Sequence, residues 1–152
     1  MSAPSTPEER LADLGLVIPA LRSPAGSYRG WVTAGDLLFL SGQGADGHLG
    51  RVGDDLTLEQ GQAAAQVCAL NLLAQARDAL GSLDQVRQVV KVLGFVACTR
   101  DFTQQPMVVN GASDLLVSVF GPDVGAHARS AIGVYALPLG FAVEVEMVVQ
   151  VR

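Results

Sequence analysis

The chain has 152 residues, a net charge of −5, 49% hydrophobic and only 16% charged residues. That length suits one domain, residues 1–152, with residues 1–20 expected to form an arm carrying a short helix. Ten scattered Lys and Arg against fifteen acids speak against RNA as a partner, since nucleic-acid binding normally needs a basic patch that releases counterions.

Several other classes are also disfavoured. No apolar run approaches the roughly 20 residues a bilayer span needs, and the first ten residues lack a basic n-region and an apolar h-region. The chain is therefore expected in the cytoplasm, away from membranes. Cys68 and Cys98 stand far apart without CxxC or Cys/His spacing, and neither His48 nor His127 belongs to a ligand cluster. They predict reduced core thiols and no metal site.

In chain order, Thr6-Pro7-Glu8-Glu9 reads as an N-cap, a proline at the first helical position and a glutamate three residues after the cap, opening a helix to about Leu14. Residues 15–27, rich in Pro, Gly and Ser, form an arm. Strands are predicted over Arg29–Ala34 and Leu37–Ser41 around Gly35-Asp36, with a third near His48–Val52. Thr57-Leu58-Glu59-Gln60 is a capping box for the longest helix, which should stop at Gly81 and bury Ala63, Val67, Leu70 and Ala74.

Val89–Thr99 is apolar on both alternating faces, the pattern of a strand covered on both sides. Pro106 opens a second long helix, ending near Phe120-Gly121, whose buried stripe is Val108, Ala112, Leu115, Leu116 and Val119. Strands over about 128–137 and 141–151 complete an α+β fold: one mixed sheet with two long helices on a single face. Two helices shield only one face of a sheet. The apolar second face therefore predicts self-association.

Chemistry is expected where charges enter apolar strands, because a buried guanidinium or carboxylate is costly unless paired or engaged by a ligand. Arg129 opens a strand after the loop 121–126, and its planar fork suits bidentate capture of a small carboxylate. A structural salt bridge to Glu144 or Glu146 would explain it as well. Those two glutamates lie two apart on a strand, so both point to one face, with Cα atoms roughly 7 Å apart, while Val143, Val145 and Met147 take the other. Acid/base work, a structural role and simple solvation all remain open for them.

The blocks Ala128-Arg129-Ser130, Ala136-Leu137-Pro138-Leu139-Gly140 and Val143-Glu144-Val145-Glu146 resemble the C-terminal signature of the RidA/YjgF family. Gly26-Ser27-Tyr28, Leu37–Gln43 and Asn110 extend the likeness over residues 21–152. Within that family the chain is most similar to a longer group commonly labelled "putative endoribonuclease", through Asn110–Leu116 leading into His127–Ser130.

The resemblance implies a chorismate-mutase-like fold, a homotrimer with clefts between subunits, and hydrolytic deamination of small 2-enamino or 2-imino acids to 2-keto acids and ammonia, without cofactor or metal. It implies catalytic roles for Arg129 and Glu144. Arg129, Tyr28, Gly42 and Asn110 would bind a small carboxylate-bearing metabolite, Asn110 approaching a neighbouring subunit's site. Glu146 is then structural or interfacial. The family's frequent Cys is Ala131 here, its Gly-Pro-Tyr carries Ser27, and the usual Ile-Pro after Gly42-Gln43 is missing, departures that bear on substrate range. Two rival readings are a trimeric metabolite-binding protein without turnover and an endoribonuclease, as the group's label has it.

Overall fold

The computed structural model describes residues 5–152; the first four residues of the expected N-terminal arm lie outside the described residues. The elements run α1 (Pro7–Asp13), β1 (Trp31–Ala34), β2 (Leu37–Gly44), α2 (Leu58–Leu80), β3 (Val86–Ala97), α3 (Gln105–Phe120), β4 (Ala128–Val134) and β5 (Val143–Val151). Both predicted capping boxes form: Thr6 with Glu9 at α1 and Thr57 with Gln60 at α2, each satisfying orphan N–H groups of a first turn. Gly81, at φ 79°, closes α2 in the left-handed conformation.

The sheet has five strands in the order β1-β2-β5-β3-β4. All neighbours are antiparallel except β3 and β4, which run parallel through the α3 crossover. Side-chain alternation makes the two faces chemically different. Val143, Val145, Met147 and Val149 of β5, with Val89, Val92 and Val96 of β3, are buried in one core with α2 and α3. Glu144, Glu146 and Val148 point to the opposite face, beside Phe95, Leu93 and Lys91 of β3.

That opposite face is apolar and open. Val32, Phe39 and Ile132 are 50, 44 and 45% exposed, and Leu93, Phe95 and Val148 are half-buried among them. Within one chain, then, β3 is covered on one side only. The two-sided apolar pattern calls for a cover that the chain does not itself provide.

Three expectations need correction. The segment His48–Val52 is not a strand: it makes only isolated bridges, Leu49 to Phe141 and Val52 to Leu56 and Cys98. Gly47, Gly50 and Gly53 at φ 79, 108 and 99° bend it repeatedly. The buried arc of α2 is Ala64, Ala65, Cys68, Ala69, Leu72, Leu73 and Ala76, together with Ala74, whereas Ala63 is exposed and Val67 and Leu70 are half-buried. This helix packs against both the sheet and α3, so its apolar arc is wider and rotated from the stripe expected. Finally, β4 ends at Val134, because Tyr135 turns out to solvent, 85% exposed, ahead of the Pro138 turn. In that turn Leu139 adopts φ 59°.

Two contacts fix the frame around the future site. The Glu8 carboxylate accepts from Arg77 Nη2 at 2.6 Å and Leu83 N at 2.9 Å, tying α1 to the end of α2. Gly111 of α3 lies where α2 crosses. A Cβ there would collide with the backbone carbonyl of Gln62, so only glycine permits the approach.

Two predictions follow. Gly111→Ala should destabilise the fold by about 2 kcal/mol or more, since the obstacle is backbone and not a movable side chain; thermal melts measure it. Phe39→Asp, placing a charge on the open face, should lower the particle mass seen by light scattering toward the 15.8 kDa of one chain while leaving the circular dichroism of the fold in place. A wild-type chain that is already monomeric at micromolar concentration would refute self-association through this face.

Candidate functional site

Arg129 is half-buried at the start of the edge strand β4, and its register partner on β3 is the core residue Val92. Its side chain therefore lies on the helix side of the sheet. Nη1 donates to Asn110 Oδ1 at 2.8 Å and Ser113 Oγ at 3.1 Å, and Nη2 to the carbonyl of Pro106 at 3.3 Å. These acceptors are one turn apart along α3, which is why a single helix face can hold the guanidinium. Ser113 Oγ also lies 2.9 Å from His127 Nε2, and His127 Nδ1 lies 2.7 Å from the carbonyl of Gly125.

Arg129 pairs with neither Glu144 nor Glu146. The ion pairs among the described residues are Arg22–Asp46 and Arg77–Glu8. An intrachain salt bridge is excluded by geometry, because the glutamates project from the opposite face of the sheet and β5 is separated from β4 by β3. Ala131, where the family frequently has Cys, shares Arg129's face and packs against the core.

Glu144 belongs to a second locus, a cavity of about 350 Å³ whose walls include Arg22, Tyr28, Gly42, Gln75, Phe141 and Glu144. It forms where the arm 15–27 crosses the end of β2. A bulge between Leu40 and Gln43 reshapes that strand, and Gly42 sits so close to Glu144 that a Cβ would come within 2.9 Å of its carboxyl carbon. Tyr28 is 52% exposed at the wall, its hydroxyl accepting from Ala25 N at 3.2 Å. Tyr28, Gly42 and Glu144 thus come together, Arg129 and Asn110 come together, and within one chain the two sets stay apart.

Burial, and then the nearby Glu146 charge, raise the Glu144 pKa above the ordinary carboxylate value. Cys68, beneath the same strand, donates to the Val143 carbonyl at 3.4 Å. Its thiol is pushed far up, first by burial and then by the charge of Glu144, which removes it as a nucleophile. Among the described residues no group of three or more His, Cys, Asp or Glu side chains is gathered as a metal would need, and no helix is long and apolar enough to cross a membrane.

Sequence reasoning missed Arg22, Gln75, Ser113 and the contact of His127. Arg22 donates to the Gly44 carbonyl at 3.3 Å and lies 5.3 Å from the centre of the Phe141 ring. Gln75 donates to the Arg22 carbonyl at 3.0 Å, and Asn71, one turn earlier, to the Gly44 carbonyl at 2.9 Å. Asn71 and Gln75, at i and i+4 within an Ala/Leu-rich helix, were the available signal: buried amides need partners, and theirs are the arm and the strand end that frame the cavity.

A pH effect follows from Glu144. Its folded-state pKa is raised, so the stability associated with its proton is fully present below the ordinary carboxylate value and is lost as pH rises through the raised one. Glu144→Gln does not titrate. Its melting temperature should fall less than that of the wild type between acidic and neutral pH, and parallel melting curves for the two proteins would contradict the buried-carboxylate account.

Comparison with known proteins agrees with this architecture. Residues 8–150 match the family described as YjgF/chorismate mutase-like, putative endoribonuclease. Protein TCP17 of Trypanosoma cruzi is 47% identical over 147 residues, 93% of this chain and 92% of that protein. The crystal structure of Atu1372, a protein of unknown function from Agrobacterium tumefaciens, is 38% identical over 96% of this chain and 92% of its own, with TM-score 0.89. That of a protein described as a putative endoribonuclease from Shewanella oneidensis is 31% identical over 97% of this chain and all of its own, with TM-score 0.92. With its fold, its C-terminal signature and nearly its whole length in agreement, the chain belongs to the RidA/YjgF family.

Proposed function

We propose that the protein is a hydrolytic deaminase of small 2-imino acids, acting in clefts between the subunits of a homotrimer. One observation carries the reading: within one chain Arg129 with Asn110 lies on the helix side of the sheet, apart from Tyr28, Gly42 and Glu144 on the other. Joining one subunit's Arg129 to a neighbour's Glu144 assembles a carboxylate receptor and an acid/base group in one cleft. The open apolar sheet face is the surface whose burial would drive that assembly.

In this scheme Arg129 binds the carboxylate of a substrate such as 2-iminopropionate and turns C2 toward a water molecule. Glu144 accepts a proton from the water as its oxygen bonds to C2. The same proton then passes to the nitrogen, and as the C–N bond breaks the remaining hydroxyl proton goes to the Glu144 carboxylate, leaving 2-keto acid and ammonia. A carboxyl group whose pKa is raised toward the working pH suits such a two-way transfer. The protonated imine is itself a good electrophile, so positioning supplies much of the acceleration, and the scheme requires neither metal nor cofactor.

RNA cleavage is the second reading, favoured by the family's description as an endoribonuclease family. The net charge of −5 weighs against it.

Light scattering at micromolar concentration should give about three times 15.8 kDa, and 2-imino acids generated in situ should be hydrolysed faster than in buffer. Arg129→Lys keeps the charge and loses the fork, so 2-keto acids should bind about 2 kcal/mol more weakly. Glu144→Gln should lower turnover with little change in keto-acid affinity. Binding without turnover by the wild type would leave a metabolite-binding protein, and turnover of purified RNA in place of imines would favour the nuclease.

A further inference from the structure

We propose that Ser113 and His127 are positioning residues for Arg129, forming a one-way hydrogen-bond relay that fixes how the guanidinium presents its remaining donors. The proposal deepens the preceding reading and rests on it, since it takes Arg129 as the carboxylate receptor.

The direction of the relay follows from valence. His127 Nδ1 lies 2.7 Å from the Gly125 carbonyl, which can only accept, so Nδ1 carries a hydrogen. A neutral imidazole has one N–H, which leaves Nε2 a bare acceptor. Ser113 Oγ, 2.9 Å away, must then donate its one proton to Nε2. What Oγ has left are lone pairs, and it takes Arg129 Nη1–H at 3.1 Å. Gly125 in turn is a fixed reference point: its N–H donates to Gly121 O at 2.8 Å, and its Cα packs so tightly on the end of α3 that a Cβ would meet backbone atoms of Leu116, Val117 and Gly121.

The consequence lies in which donors remain. Arginine has five N–H groups. Asn110 Oδ1 and Ser113 Oγ take both hydrogens of Nη1, and the Pro106 carbonyl takes one of Nη2. The Nε–H and the second Nη2–H, which find no acceptor among the described residues, are left for a ligand. All three acceptors are neutral, and no carboxylate among the described residues pairs with Arg129. The relay therefore orients the guanidinium without cancelling its charge, the condition a receptor for a small carboxylate requires. Asn110 Oδ1 belongs to this support. Without the His127 acceptor, the Ser113 hydroxyl is free to rotate and turn its own proton toward Nη1, losing that bond.

Two measurements test this. Long-range 1H–15N correlation spectra of the wild type in mildly alkaline solution should show His127 as the Nδ1–H tautomer; the Nε2–H tautomer would overturn the relay whatever the function. Binding of 2-oxobutyrate should weaken about tenfold in Ser113→Ala and His127→Ala, the weight of one hydrogen bond to a charged group. The KM for 2-iminopropionate should rise in step while kcat changes less. His127→Gln, which places a side-chain acceptor near the Nε2 position, should recover most of the affinity that His127→Ala loses. Should Ser113→Ala fail to fold, the Gln and Ala variants at 127 decide alone. Wild-type affinity in Ser113→Ala or His127→Ala, with Arg129→Lys impaired, would refute the positioning role and leave the receptor standing. If the wild type itself ignores 2-oxobutyrate, the functional reading falls, and the tautomer still decides the relay.

Discussion

Side-chain alternation in a sheet covered by helices on one face only is the constraint on which the rest of this molecule depends. Val143, Val145, Met147 and Val149 must face α2 and α3 to build the core. That requirement sends Glu144 and Glu146 to the other face without any choice left to the glutamates themselves. The same rule applied to β4 turns Arg129 toward α3, because its register partner Val92 is a core residue. The opposition of cation and carboxylate across one sheet is thus a by-product of hydrophobic packing, and it keeps Arg129 and Glu144 in two separate clusters within one chain.

Close packing then sets the chemistry of each cluster. The glycine crossing of α2 and α3 brings the helices together at Gly111, between Asn110 and Ser113, so the two side-chain acceptors of Arg129 are carried by a segment that cannot shift without losing that crossing. At the other locus Gly42 lets β2 approach the Glu144 carboxyl, and the removal of water there raises its pKa. The Arg129 side is built from neutral hydrogen-bond acceptors and keeps its charge. The Glu144 carboxyl is half-buried against Gly42 and holds its proton more firmly. Complementary chemistry arises from different packing, on opposite sides of the same strands.

Buried amides do the joining. Asn71 and Gln75 face into the core from α2, Asn71 donating to the Gly44 carbonyl at the end of β2 and Gln75 to the Arg22 carbonyl in the arm. The arm 15–27 is held over the end of β2 by these contacts, and the cavity exists because the arm is held there. Leu16 and Ile18 anchor the arm on the core, and Arg22 adds its ion pair with Asp46 and its stack on Phe141.

The sequence by itself determined the elements and their inward faces where the signal is local. Capping boxes at Thr6 and Thr57, the stop at Gly81, the buried stripe of α3 and the alternation of β5 are all set by residues within a turn or two of one another. It also determined that something must cover the second sheet face, since the apolar alternation of β3 is visible without coordinates. Where the pattern was degenerate it misled: an alanine-rich α2 offers several equivalent stripes, and glycines in 47–53 break a segment whose composition still resembles a strand. Only the tertiary structure decided which charges meet. Arg129 and Glu144 are fifteen positions apart in a signature that invites pairing them, yet strand order β5-β3-β4 and opposite pleats separate them. Ser113 and His127, fourteen apart with no pattern to connect them, come within 2.9 Å. Periodicity reports which way a side chain points relative to its own strand or helix. Which neighbour it finds there depends on crossovers and register, and these are set by the packing of the whole chain.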